Sequence, residues 1–117
     1  MYGLKKNEDL QPLLGATLTQ VCVGQNEVVL NFDRPVSVTV LSDFSVSLNG
    51  APKVRYQDAR HGAVSLLPLI GNQIGSAVAT TGGGLQLEFE SGALEIFDES
   101  SQYESFWLRL GDKEIIV

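Results

Sequence analysis

At 117 residues the chain has room for one domain spanning 1–117, because two halves would each be too small to bury a core without disulfides or metals. A composition of 44% hydrophobic and 19% charged residues excludes wholesale disorder, and no apolar stretch reaches the ~18 residues that span a bilayer. One cysteine, Cys22, excludes a disulfide-stapled scaffold and fits a reducing cytoplasm.

Fourteen acids against eight bases give a net charge of -6, and the whole excess falls in one stretch. Between His61 and Leu108 there is no Lys or Arg, whereas Glu88, Glu90, Glu95, Asp98, Glu99 and Glu104 all lie there. A concentrated negative surface repels nucleic acid and anionic lipid and steers cationic proteins toward it. No nucleic-acid or membrane partner is therefore expected.

In chain order, residues 1–14 carry Lys5 and Lys6 with no unbroken apolar run behind them, unlike a secretory signal. Residues 8–14 read as a short helical turn. Cys22, between Val21 and Val23 in a predicted strand, reads as a small packed residue rather than a nucleophile. Alternation then takes over: Val28, Leu30 and Phe32, then Val36, Val38 and Val40, then Phe44, Val46 and Leu48. Period two in short runs, broken by Asp33-Arg34-Pro35 and Asn49-Gly50, marks antiparallel strands joined by tight turns. A Phe32 to Val36 pairing places Asn31 opposite Ser37 and Val29 opposite Thr39. Lys53, Arg55 and Arg60 form a positive patch too sparse for nucleic acid. His61, the only histidine, reads as a surface loop residue.

Residues 63–69 form a second short helical candidate, cut near its end by Pro68. The motif Thr80-Thr81-Gly82-Gly83-Gly84 lacks the Gly-Lys-Ser/Thr of a phosphate loop and opens onto a strand, so it predicts a hairpin connection with positive φ. Leu85, Leu87 and Phe89 alternate next, followed by Leu94 and Ile96. With Ser91-Gly92 as the turn, residues summing to 183 pair, so Phe89 faces Leu94, Glu88 lies opposite Glu95, and Gln86 lies opposite an exposed Phe97. Like charges so placed are unfavourable by up to ~1 kcal/mol unless a cation intervenes. Arg109, on a last strand predicted over 103–110, is one candidate; a partner's charge is the other. Tyr103 is expected to cap the core edge, and Trp107 to present its indole on the opposite face.

The chain also repeats itself. Leu14-Gly15, Leu18 and Val21 match Ile70-Gly71, Ile74 and Ala77 at an offset of 56, and Val28, Leu30 and Phe32 match Leu85, Leu87 and Phe89 at 57. The fold class expected is mainly β: two repeated hairpin units, near 12–56 and 68–112, packed as an antiparallel β-sandwich or a partly open barrel with one or two short helices.

With one His and one Cys there is no zinc-ligand spacing, and no motif supports a Cys22–His61 dyad. No catalytic residue, metal or cofactor is expected, and the protein does not read as an enzyme.

The run Leu69-Ile70-Gly71, then Gly84-Leu85-x-Leu87-x-Phe89-x-x-Gly92-x-Leu94-x-Ile96, and finally Tyr103-Glu104-Ser105-Phe106, resembles a widespread bacterial family of small proteins of largely unassigned function. Many of these look like immunity proteins encoded beside polymorphic toxins, including those of contact-dependent growth inhibition. The resemblance implies a cytoplasmic protein that binds and neutralises a cognate toxin domain, with a nuclease expected, by occluding its basic active site. The alternative is an interaction or assembly module for some other basic partner, with a homodimer through an edge strand compatible with it. The residues expected to meet the partner are Glu88, Glu90, Glu95, Phe97, Asp98, Glu99, Glu104 and Trp107.

Overall fold

The computed structural model describes residues 3–99 and 103–117. Alternation is realised as strands throughout. In the first half these are β1 (Leu18–Val23), β2 (Val28–Phe32), β3 (Val36–Val40), β4 (Phe44–Leu48) and β5 (Val54–Tyr56). In the second half they are β6 (Ile74–Ala79), β7 (Leu85–Phe89), β8 (Gly92–Ile96), β9 (Phe106–Leu110) and β10 (Lys113–Ile116). Among the described residues, helix is confined to α1 (Ala59–Gly62) and to 3-10 segments at Gln11–Leu13 and Ala63–Leu69. The turn expected over 8–14 shortens to three residues, because Pro12 lacks an N–H and the segment makes only local bonds. No helix among the described residues is long and apolar enough to cross a membrane.

The strands form two five-stranded antiparallel sheets, β1-β2-β3-β9-β10 and β5-β4-β8-β7-β6. They are not closed into a barrel. Inward-facing Leu30, Val38, Leu108, Leu87, Leu94 and Ile96 are fully buried between them. The units do not fold side by side: β4 of the first unit pairs with β8 and carries β5 on its outer edge, and β9 of the second pairs with β3 and carries β10. Each sheet thus takes three strands from one unit and two from the other. The exchange is symmetric to the residue, since Val36 opposite Leu110 and Val40 opposite Phe106 repeat as Gly92 opposite Leu48 and Ile96 opposite Phe44.

An axis of this approximate two-fold passes where the sheets touch. Thr17 bridges Gln73 antiparallel, and around that pair Gly15 N–H donates to Ile74 O while Gly71 N–H donates to Leu18 O, both at 2.8 Å. Leu18 N–H to Asn72 O and Ile74 N–H to Ala16 O complete the set at 3.0 and 2.9 Å. Gly15 and Gly71 stand at φ +81° and +94°, the left-handed region that glycine enters without a Cβ penalty. The repeat at offset 56, visible as Leu-Gly and Ile-Gly, marks these hinge positions.

The first hairpin has the expected register, with Val29 opposite Thr39 and Asn31 opposite Ser37. The second differs. Its turn is Glu90-Ser91, Phe89 pairs with Gly92 and Leu87 with Leu94, so the register is two residues tighter than the sum of 183. Gly92 belongs to the ladder because a Cβ there would lie 2.3 Å from Ser47 O on β4. The expected strand over 103–110 begins only at Phe106, with Tyr103 71% exposed rather than capping the core.

Phe44 and Phe106 are the largest fully buried side chains, and they occupy equivalent places on the exchanged strands β4 and β9. Phe44→Ala and Phe106→Ala should therefore each lower unfolding free energy by about 3–5 kcal/mol, a cost comparable between the two, in urea titrations followed by circular dichroism.

Candidate functional site

The outward side chains of the second sheet fall in cross-strand rows. Along one row run Val78, Gln86, Glu95, Ser45 and Arg55; along the next, Ser76, Glu88, Ala93 and Ser47. Glu88 lies opposite Ala93, and Glu95 lies between Gln86 and Ser45, so the predicted Glu88–Glu95 confrontation does not exist. Nor could Arg109 have relieved it: Arg109 is on the first sheet, opposite Ser37 and Glu114. A two-residue error in register changed every neighbour on this face.

Glu95 has a different cation. Lys53, just before β5, approaches its Oε1 at 3.4 Å. Past the end of β8, Phe97 is half-buried, and the Arg55 guanidinium carbon sits 4.0 Å above its ring centroid. The same guanidinium donates to Asp43 at 3.0 Å and to Glu99 at 2.5 Å. Hydrogen bonds to Glu99 and then Asp43 raise the Arg55 pKa further above its ordinary value. Phe97 is thus no bare apolar anchor, and Lys53 and Arg55 are not an independent positive patch; both serve the acids beside them.

Glu95, Phe97 and Glu99 also line a hollow of about 110 Å³ together with Thr80, Thr81, Gly82, Gly84 and Asp98. One wall is the β6–β7 connection. Thr80 N–H donates to Gly84 O at 3.0 Å and Gly84 N–H returns to Thr80 Oγ1 at 2.9 Å, with Gly83 at φ +89°. The glycine run is a hairpin connection, as its sequence predicts. Gly84 has a second reason to be glycine, because a Cβ there would stand 2.1 Å from Ile96 O. A second depression, lined by Ser42, Asp43, Phe97 and Glu99, shares Phe97 and Glu99 with the first. Four carboxylates (Asp43, Glu95, Asp98 and Glu99) therefore line the depressions at one aromatic ring, and three of them, Asp43, Glu95 and Glu99, share two cations, Lys53 and Arg55.

Of the eight residues expected at the partner surface, the structure gathers Glu95, Phe97, Asp98 and Glu99. Asp98 is partly engaged, accepting from Ser105 Oγ at 2.7 Å. Glu90 has a structural role: it accepts from Gln73 N–H at 3.3 Å, the counterpart of Asp33 accepting from Thr17 N–H at 3.0 Å across the two-fold. Glu88 is exposed on the same sheet two residues along β7 from the row of Glu95. Glu104 and Trp107 belong elsewhere, joined by an indole N–H bond of 2.8 Å, with Trp107 on the outer face of the first sheet. Sequence reasoning missed Asp43 and Arg55 as neighbours of Phe97 and Lys53 as the cation of Glu95, since only the β4–β8 pairing brings β4 and β5 beside the end of β8. His61, exposed and 3.5 Å from Asp58, lies on α1, where Asp58 caps the helix by accepting from Arg60 N–H at 2.9 Å. Cys22 is half-buried near Asn31, 3.6 Å from its amide. Among the described residues there is no group of three or more His, Cys, Asp or Glu side chains placed to hold a metal.

The chain matches over residues 9–117 the model of a family of unknown function, DUF6188, and belongs to that family. No curated protein and no solved structure matches it. Membership places the crossed two-sheet fold in a lineage and assigns it no activity.

Gly84→Ala and Arg55→Gln should separate scaffold from surface. The first should lower unfolding free energy by roughly 1–3 kcal/mol through the clash with Ile96 O. The second, at an exposed ion pair, should leave the melting temperature nearly unchanged while hydrogen exchange in the segment after β8 speeds up, as read by mass spectrometry.

Proposed function

We propose that this protein works by binding, holding a positively charged protein against the Phe97 hollow, and that its particular role is that of an immunity protein covering the basic active site of a toxin domain, a nuclease foremost. The observation that carries the reading is the four carboxylates around Phe97 with two cations between them. Lys53 and Arg55 reduce the local charge without cancelling it, and Glu88 on the adjoining strand adds to the excess. An aromatic ring among polar groups is the composition of a binding hot spot.

Nuclease clefts are basic because they neutralise phosphates, so an acidic protein can occupy them by presenting charge where the substrate would. No bond need be made or broken; occupancy is the activity. The toxin assignment itself rests on the resemblance of the 69–106 run to immunity proteins. The electrostatic half of the reading rests on the hollow.

The test is co-expression with candidate nuclease toxin domains, taken first from any polymorphic toxin gene found next to the one for this chain. The expected results are rescue of growth, a co-purifying complex, and an association rate that falls steeply between low and physiological salt. Glu95→Lys with Glu99→Lys should weaken the complex by about a hundredfold, nearly 3 kcal/mol, while the variant stays folded. A complex without rescue would favour the assembly-module alternative. Binding indifferent to both salt and the double substitution would remove the hollow from the reading.

A further inference from the structure

The outer face of the first sheet differs from the rest of the surface. One cross-strand row runs Cys22, Val29, Thr39, Trp107 and Ile116; the adjacent row runs Gln20, Asn31, Ser37, Arg109 and Glu114. The first is largely apolar and crosses all five strands, roughly 19 Å at ~4.8 Å per strand. The second holds one cation and one anion, which cancel, so that with Glu104 at the indole edge the face carries a single negative charge on a chain whose net charge is -6. The indole is held at its edge by Glu104 at 2.8 Å, which fixes the ring without covering it. Beside it lies a depression of about 230 Å³ lined by Ser37, Thr39, Trp107, Leu108, Arg109 and Glu114. Ile116, next to Trp107 on the edge strand, is 51% exposed.

Arg109 and Glu114 are directly opposite on β9 and β10, yet neither side chain makes a hydrogen bond or ion pair among the described residues. Every other Arg or Lys that borders a sheet on this molecule (Arg34, Lys53, Arg55 and Lys113) has a carboxylate within 4.0 Å. Two adjacent, opposite and unspent charges are self-complementary. We infer that this face docks a second copy of the same chain, through Trp107, Arg109, Glu114 and Ile116.

Charge selects the face. Two copies at -6 repel one another wherever their acidic surfaces approach, and this nearly neutral face keeps that penalty small. Symmetry selects the pairing. A two-fold axis parallel to the strands, midway between β9 and β10, preserves position along the strand and exchanges the two. It sets Arg109 over Glu114 of the second copy, Trp107 over Ile116 of the second copy, and the reciprocal pairs beside them. Sheets stacked face to face stand about 10 Å apart, a gap that these long side chains fill. Isologous contacts of this kind are the usual route to a homodimer. The patch is compact, so the association is weak. It uses none of the hollow's residues and stands or falls apart from the reading above.

Trp107 is the only tryptophan, so its fluorescence reports on this face alone. Sedimentation velocity and emission spectra are to be recorded on the full chain from about 1 µM to about 1 mM, the span in which weak dimers form. The expected result is a monomer–dimer equilibrium with an emission maximum that moves to the blue as dimer accumulates. Arg109→Glu should weaken the dimer at least about tenfold, and adding Glu114→Arg to it should restore affinity to within about threefold of the original. Both positions are exposed, and either variant should fold normally, as checked by circular dichroism. A monomer across the whole range overturns the inference, whether the face is bare or reserved for another protein. So does a dimer that ignores Arg109→Glu, or a charge swap that fails to restore it.

Discussion

Everything in this molecule depends on the exchanged pairing of β3 with β9 and β4 with β8. Neither unit can complete a sheet from its own strands. Val38 finds its partner at Leu108 and Val46 at Leu94, so the second half must be present before the first is covered. Long-range antiparallel pairing of this kind requires loop-closure entropy to be met before the contacts form, which makes folding of the two halves a single event. The small junction at Thr17 and Gln73 then fixes how the sheets meet. Its four backbone bonds satisfy strand ends that would otherwise be unpaired edges, and the sheets diverge from that corner around the core.

On this nearly symmetric frame the two outer faces have taken different chemistry. Where the first sheet pairs Thr39 with Trp107, the second pairs Glu95 with Ser45 at the equivalent place. Where Trp107 presents an indole on one side, Ser45 leaves room on the other for Arg55 to reach across to Phe97. Symmetry supplies the scaffold and the departures from it supply the surfaces. The acidic excess collects at one end of the second sheet, where the end of β8, the start of β4 and the β6–β7 connection converge. The other face stays nearly neutral, with Glu104 at its Trp107 edge. A partner of either kind, basic or self-complementary, would thus find only one face to suit it.

The carboxylates also show how far charge counting carries. Six acids between residues 88 and 104 suggest one continuous negative wall. In the folded chain Glu90 ties down the backbone of Gln73, Glu104 holds the Trp107 indole, Asp98 receives Ser105, and Glu95 and Glu99 share Lys53 and Arg55 with Asp43. The negative field survives in reduced form, concentrated around Phe97. Its cations, Lys53 and Arg55, come from the residue just before β5 and from β5 itself, a three-residue edge strand whose position beside β4 nothing in its own sequence announces.

The amino-acid sequence determined the alternating strands of the two hairpins and β4, their buried faces and the existence of two similar units, because side-chain alternation and turn chemistry are local properties that each segment carries alone. The short edge strands β5 and β10 carry too few alternating residues to announce themselves. It also placed the first hairpin in register, since Asp33-Arg34-Pro35 leaves little choice of turn. The tertiary structure alone decided the exchange of strands, the tighter register at Glu90-Ser91, and which acid met which cation. Those outcomes depend on contacts between distant residues, such as Gly92 lying against Ser47 O, and a two-residue slip that keeps every apolar side chain inward is invisible to a periodicity of two.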